Sequence, residues 1–146
     1  MWLALLIGIF AVAGTSDPAG IEGHWFFYKK IFKGTEMPEP PSATLRLHFE
    51  FYDNGTNKLY WWHEGENDLC TRWGKYSWDG QWLTDEITKV DPKNHPSCAR
   101  DPDMQLGKIS KSPVWLEGGE LRLLLHIGDD DLIYVWRKIP AVIEKE

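Results

Sequence analysis

Five histidines, His24, His48, His63, His95 and His126, are spread along the chain with no two at metal-ligand spacing and no His-Glu-x-x-His. Nothing in that pattern gathers the three or four donors a zinc site needs, so no metal is expected. The run Asp129-Asp130-Asp131 concentrates charge without the spaced oxygen ligands of a calcium loop and reads as a solvated turn. There is no Gly-x-Ser-x-Gly elbow and no cysteine–histidine arrangement with nucleophile logic. The expectation is a protein with no catalytic residue and no cofactor. What remains chemically active is a pair of cysteines, Cys70 and Cys98, and one arginine, Arg72, in an otherwise apolar and aromatic neighbourhood.

The chain has 146 residues, with 16 Lys and Arg against 22 Asp and Glu, a formal charge of −6. This is one ordinary domain, and it lacks the basic patch that nucleic acid or an anionic membrane would require. Nine tryptophans, five tyrosines and six phenylalanines make 14% of the chain aromatic. A core of this size has room for few such rings, so some are wet, line a cavity or await a partner.

Those residues need elements to position them. The uncharged segment Trp2 to Ala13 is too short to span a bilayer as an anchored helix and ends in a small-x-small pattern, so residues 1–13 read as an export signal, with an uncleaved anchor or a buried strand as the alternatives, and 14–146 as a single domain. In an exported chain an even pair of cysteines predicts a Cys70–Cys98 disulfide, with two buried thiols as the alternative. From Gly23 on, large apolar and polar residues alternate in short runs. Strands are expected over 23–31, 43–52, 58–64, 69–78, 81–90, 106–115, 120–127 and 132–138. The turns at Asp53–Thr56, Asp79-Gly80 and Glu117–Gly119 are tight, and fall at one end if the strands run up and down. The long connections, 32–42 and 91–105, fall at the other, together with both cysteines. Met37-Pro38-Glu39-Pro40-Pro41 would stiffen the first of them as a partial lid. The prediction is an all-β protein: an eight-stranded antiparallel up-and-down barrel, closed at one end and open at the other.

Gly23-His24-Trp25 at the head of the first strand resembles the Gly-x-Trp signature of the lipocalins, members of the calycin group. Trp136-Arg137-Lys138 in the last strand resembles the place where that family sets a basic residue against the tryptophan. The resemblance covers about residues 21–139 and implies a lipocalin-like barrel that binds a small, often hydrophobic molecule without metal or cofactor. It makes Gly23, Trp25 and either Arg137 or Lys138 structural, an indole plugging the closed end under a cation.

A two-residue Asp79-Gly80 turn sets Tyr76 opposite Leu83 and Arg72 opposite Ile87. If that face is interior, Arg72 and Asp85 are polar groups inside the barrel, and a buried guanidinium needs a carboxylate from the protein or from an acid-bearing ligand. If the other face points in, Trp73, Trp82, Thr84 and Glu86 replace them and Arg72 is solvated. Candidate ligand contacts are Arg72, Tyr76, Trp61, Trp62, Phe27, Leu47, Phe49, Leu83, Ile87, Leu123 and Tyr134, with one of Trp61 and Trp62 necessarily facing out. Two functions fit: a secreted or periplasmic monomer holding a small hydrophobic or amphipathic molecule, or a filled barrel, such as a small inhibitor or adhesin-like module, acting through its loops. Whether the rings line a cavity or fill it separates the two.

Overall fold

In the computed structural model, residues 20–37 and 43–140 are described. The segment read as an export signal and the prolines at 38, 40 and 41 lie outside them. Alternation makes the strands. In β3 (Leu45–Phe51), Leu45, Leu47, Phe49 and Phe51 face the interior while Arg46, His48 and Glu50 face out. The remaining strands are β1 (Gly23–Phe32), β2 (Thr35–Met37), β4 (Thr56–His63), β5 (Cys70–Trp78), β6 (Trp82–Val90), β7 (Ile109–Glu117), β8 (Glu120–Ile127) and β9 (Asp130–Ile139). All neighbouring pairs are antiparallel, in the order β2-β1-β3 onward to β9, and β9 pairs back onto β1 from His24↔Ile139 to Phe32↔Leu132. Eight strands thus close into a barrel, the architecture expected from the turn pattern, and closure removes the sheet edges.

The short strand β2 is additional to the expected eight. It folds back on β1 through Lys33-Gly34, both at positive φ (49° and 77°), the geometry of a tight hairpin. Three polar-leaning residues are too few to show alternation, which is why the region reads as a loop. Between β6 and β7 the chain makes two 3-10 helices, Pro96–Arg100 and Pro102–Met104, each capped by the side chain of the residue before its proline, His95 and Asp101.

The expected β5–β6 register is corrected by two residues next to its turn. Asp79 accepts the N–H groups of Gln81 and Trp82 at 2.9 and 2.7 Å, so a wider Asx-stabilised turn pairs Trp78 with Leu83 and Tyr76 with Asp85. A bulge beyond Gly74 then sets Arg72 opposite Val90, not Ile87. At the β8–β9 hairpin the turn is only Gly128-Asp129, with Ile127 opposite Asp130, so β9 begins two residues before the expected 132. A slip of two leaves every side chain on its expected face, because the pleat repeats every two residues.

The closed end is packed by Ile21, Trp25, Phe27, Phe49, Phe51, Leu59, Leu83, Val114, Leu121 and Trp136. Trp25 is 3% exposed and donates its indole N–H to the Ile21 carbonyl at 2.9 Å. Lys138 is the residue whose ammonium lies over the Trp25 ring, 5.5 Å from its centroid, whereas Arg137 covers Tyr28 on the outer face at 3.9 Å. Gly23 makes room for this: at φ 135°, a Cβ there would lie 2.4 Å from Lys138 Cε.

Candidate functional site

Above the closed end the barrel holds a cavity of about 410 Å³. Its apolar wall comes from the inward residues of adjacent strands: Leu45, Leu47 and Phe49 of β3, Leu59 and Trp61 of β4, Leu83 of β6, Leu123 and Leu125 of β8, Tyr134 and Trp136 of β9. Those strands bring hydrophobic side chains to one face at period two, so the lining is set by the pleat rather than by any local motif.

The polar part of the wall is built around Arg72, 3% exposed. Its Nη2 meets Asp85 Oδ2 at 2.5 Å, and its Nη1 donates to Asn57 Oδ1 at 2.8 Å. Asn57, itself fully buried, donates Nδ2–H to Asp85 Oδ1 at 2.7 Å, closing a three-residue ring of bonds. Gly74 leaves the space: a Cβ there would come 2.8 Å from Asn57 Oδ1 and 3.0 Å from Arg72 Nη1. The guanidinium also lies 5.3 Å from the Phe49 ring centroid. The carboxylate that a buried arginine requires is therefore Asp85's own.

The mouth is shaped by the chain after β6. The Cys70–Cys98 disulfide joins the first residue of β5 to the first 3-10 helix, as expected for the open end, and packs with Met104 against Trp61 and Val90. This holds Asp101, Asp103 and Lys108 at the cavity lining. Lys108 Nζ approaches Asp103 Oδ1 at 3.7 Å, and Asp101 accepts the Asp103 N–H at 2.8 Å. Burial first, then the carboxylates of Asp103 and Asp101, raise the Tyr134 phenol above its ordinary value. Ser110 and Ser112 of β7 add hydroxyls.

Of the candidate contacts, Arg72, Trp61, Leu47, Phe49, Leu83, Leu123 and Tyr134 come together around this cavity. Four do not. Phe27 is buried in the closed-end core against Tyr134 and Trp136. Tyr76 sits beside Phe51 and donates its hydroxyl to the Tyr52 carbonyl at 2.8 Å, toward the closed end. Ile87 is buried outside the lining, below the bulge that carries Arg72 away from it. Trp62 pairs with Arg46 on the outer face, because Leu47, opposite Trp61, is the inward residue. There its ring runs within 2° of parallel to His48, which in turn lies within 5° of Tyr60. Burial in this row, then the neighbouring His24, lowers the His48 imidazole below its usual value.

Among the missed contributors are Asp101, Asp103 and Lys108: the connection lengths and Cys98 put the 91–105 loop at the open end, but a segment without periodicity does not tell which of its side chains reach the cavity. A second grouping arises in the β4–β5 turn, where donor atoms of His63, Glu66 and Asp68 come within 4.8 Å of one another. Asp68 is already engaged: it takes the His63 N–H at 2.9 Å and contacts the His63 imidazole, and the backbone bond leads in lowering its carboxyl. This is the chemistry of a braced turn. Asp130 and Asp131, from the aspartate run, pair with Lys33 and His126.

No family sequence model and no curated protein sequence matches the chain. Among solved structures it is similar to a lipocalin-like protein from Bacteroides uniformis, with a TM-score of 0.52 and 18% identity over 81% of this chain and 97% of that one. Among the described residues no helix is long and apolar enough to cross a membrane. The closed eight-stranded barrel, its tryptophan plug and this likeness together give the chain the lipocalin-like fold.

Proposed function

We propose that this protein is an exported, non-catalytic binder that carries a small hydrophobic or amphipathic molecule inside its barrel. The observation that carries the reading is the cavity: about 410 Å³, walled by leucine and aromatic side chains, and within the size range of small-molecule sites. A barrel acting only through its loops has no use for that space, since small barrels commonly fill it with side chains. The disulfide supports export, because such bonds persist in oxidising compartments. Native mass spectrometry of the protein purified from its own host tests the reading. A small-molecule adduct lost on denaturation is the expected result. Bare protein that also fails to take up a neutral apolar fluorophore contradicts it.

A further inference from the structure

The barrel cavity carries a specificity that its apolar lining alone does not reveal, and the inference rests on the ligand-binding reading above. Among the described residues the interior wall carries one cation, Arg72, and its charge is paired: both its terminal nitrogens bond Asp85 or Asn57. A ligand carboxylate entering the cavity finds no uncompensated positive charge there. At the mouth, Lys108 is paired with Asp103, and Asp101 has no cation within 4.0 Å among the described residues. The charged groups of the lining are therefore two cations, Arg72 and Lys108, against three carboxylates, Asp85, Asp101 and Asp103; the titratable imidazole there, His63, is held against Asp68. Desolvating an anion against an excess of negative charge is doubly unfavourable. Tyr134, whose phenol is raised first by burial and then by Asp103 and Asp101, shares that lining with both carboxylates.

We propose that the cavity selects apolar molecules whose polar group is uncharged, such as an alcohol, ketone or ester, and discriminates against carboxylates of the same chain length.

The test is displacement of the neutral fluorophore N-phenyl-1-naphthylamine from the full-length oxidised protein at pH 8, by 1-dodecanol and by dodecanoate. Dodecanol is expected to compete about tenfold or more better, the factor that one modest unfavourable charge interaction gives. Equal competition, or a preference for dodecanoate, overturns the proposal while leaving the binding reading intact. Failure of the fluorophore and both competitors to bind overturns both. Asp85→Asn, which frees the Arg72 charge, should improve dodecanoate competition relative to dodecanol about tenfold. An unaltered ratio in that variant refutes the assigned cause. Should Asp85→Asn not fold, Asp101→Asn with Asp103→Asn at the exposed mouth must narrow the alcohol–carboxylate gap, and an unchanged gap refutes it equally.

Discussion

Arg72 and Asp85 are ionised groups at the barrel wall with side chains only 3% and 8% exposed. Replacing Arg72 by Met leaves the Asp85 carboxylate in place with one remaining bond, from Asn57 Nδ2. Breaking a buried pair on one side typically costs about 3–5 kcal/mol, because the abandoned charge remains desolvated. Arg72→Met alone is therefore expected to lose stability in that range. Removing both charges, Arg72→Met with Asp85→Leu, strands only the Asn57 amide, whose unmet hydrogen bonds are worth about 1–3 kcal/mol. Adding Asn57→Leu removes that cost, so the triple variant should return to within about 1.5 kcal/mol of wild type, the tolerance of volume-conserving apolar swaps. The assay is urea unfolding followed by tryptophan fluorescence, reading the midpoint at constant m-value. The ordering single, double, triple is the signature. A single variant costing below about 1 kcal/mol would refute the reasoning, since solvated surface pairs behave that way; so would a triple variant no better than the single.

Trp25→Ala empties the plug under Lys138 and should cost about 3–5 kcal/mol, while a change below about 0.5 kcal/mol, usual for surface sites, would show that the indole is not buried structure. Reduction of Cys70–Cys98, 28 residues apart, should lower stability by about 3.5 kcal/mol on the chain-entropy account. The denatured oxidised protein should show no reactive thiol, and two reactive thiols would contradict the bridge. Three carboxyls titrate lower in the folded chain: Asp68 through the His63 N–H, Asp79 through the Trp82 and Gln81 N–H groups, and Glu120 through the Tyr28 hydroxyl. A depressed carboxyl contributes stability above its unfolded value and loses it as pH falls through the folded one, so the urea midpoint should be steady above about pH 5 and fall below about pH 4. A midpoint that holds or rises on acidification to about pH 2.5 would contradict these bonds.

The barrel was legible because its information is periodic. Leu45, Leu47, Phe49 and Phe51 declare a face without knowledge of any partner strand, and the glycine pair Gly118-Gly119 declares a turn, found at φ values of 59° and 78°. The turn at Asp79 was misread by two residues because its side chain, not the glycine after it, sets the loop, yet Arg72 and Asp85 stayed on the interior face. What periodicity cannot report is depth along the barrel. Phe27, Tyr76 and Ile87 point inward as read, but they lie among closed-end or wall packing rather than around the open space. Choosing between Trp61 and Trp62 required the pairing of Leu47 with Trp61, which the turn after β3 left open. Nor did Arg72 announce that Asn57, fifteen residues earlier, completes its shell. Asp101 and Asp103 reach the mouth only through the fold of a non-repeating loop tied down by Cys98.

The central claim is that the interior of this barrel is a ligand site, and the most direct measurement is a titration of N-phenyl-1-naphthylamine into wild type and into variants that fill the cavity. Leu47→Trp and Leu123→Trp each place a larger ring into the space they line, and together they should exclude the probe. The account predicts saturable, stoichiometric fluorescence enhancement in wild type, weakened by each substitution and lost in the double variant, with cooperative urea unfolding preserved throughout. Wild-type enhancement that persists undiminished in a folded double variant would place binding elsewhere and contradict the account.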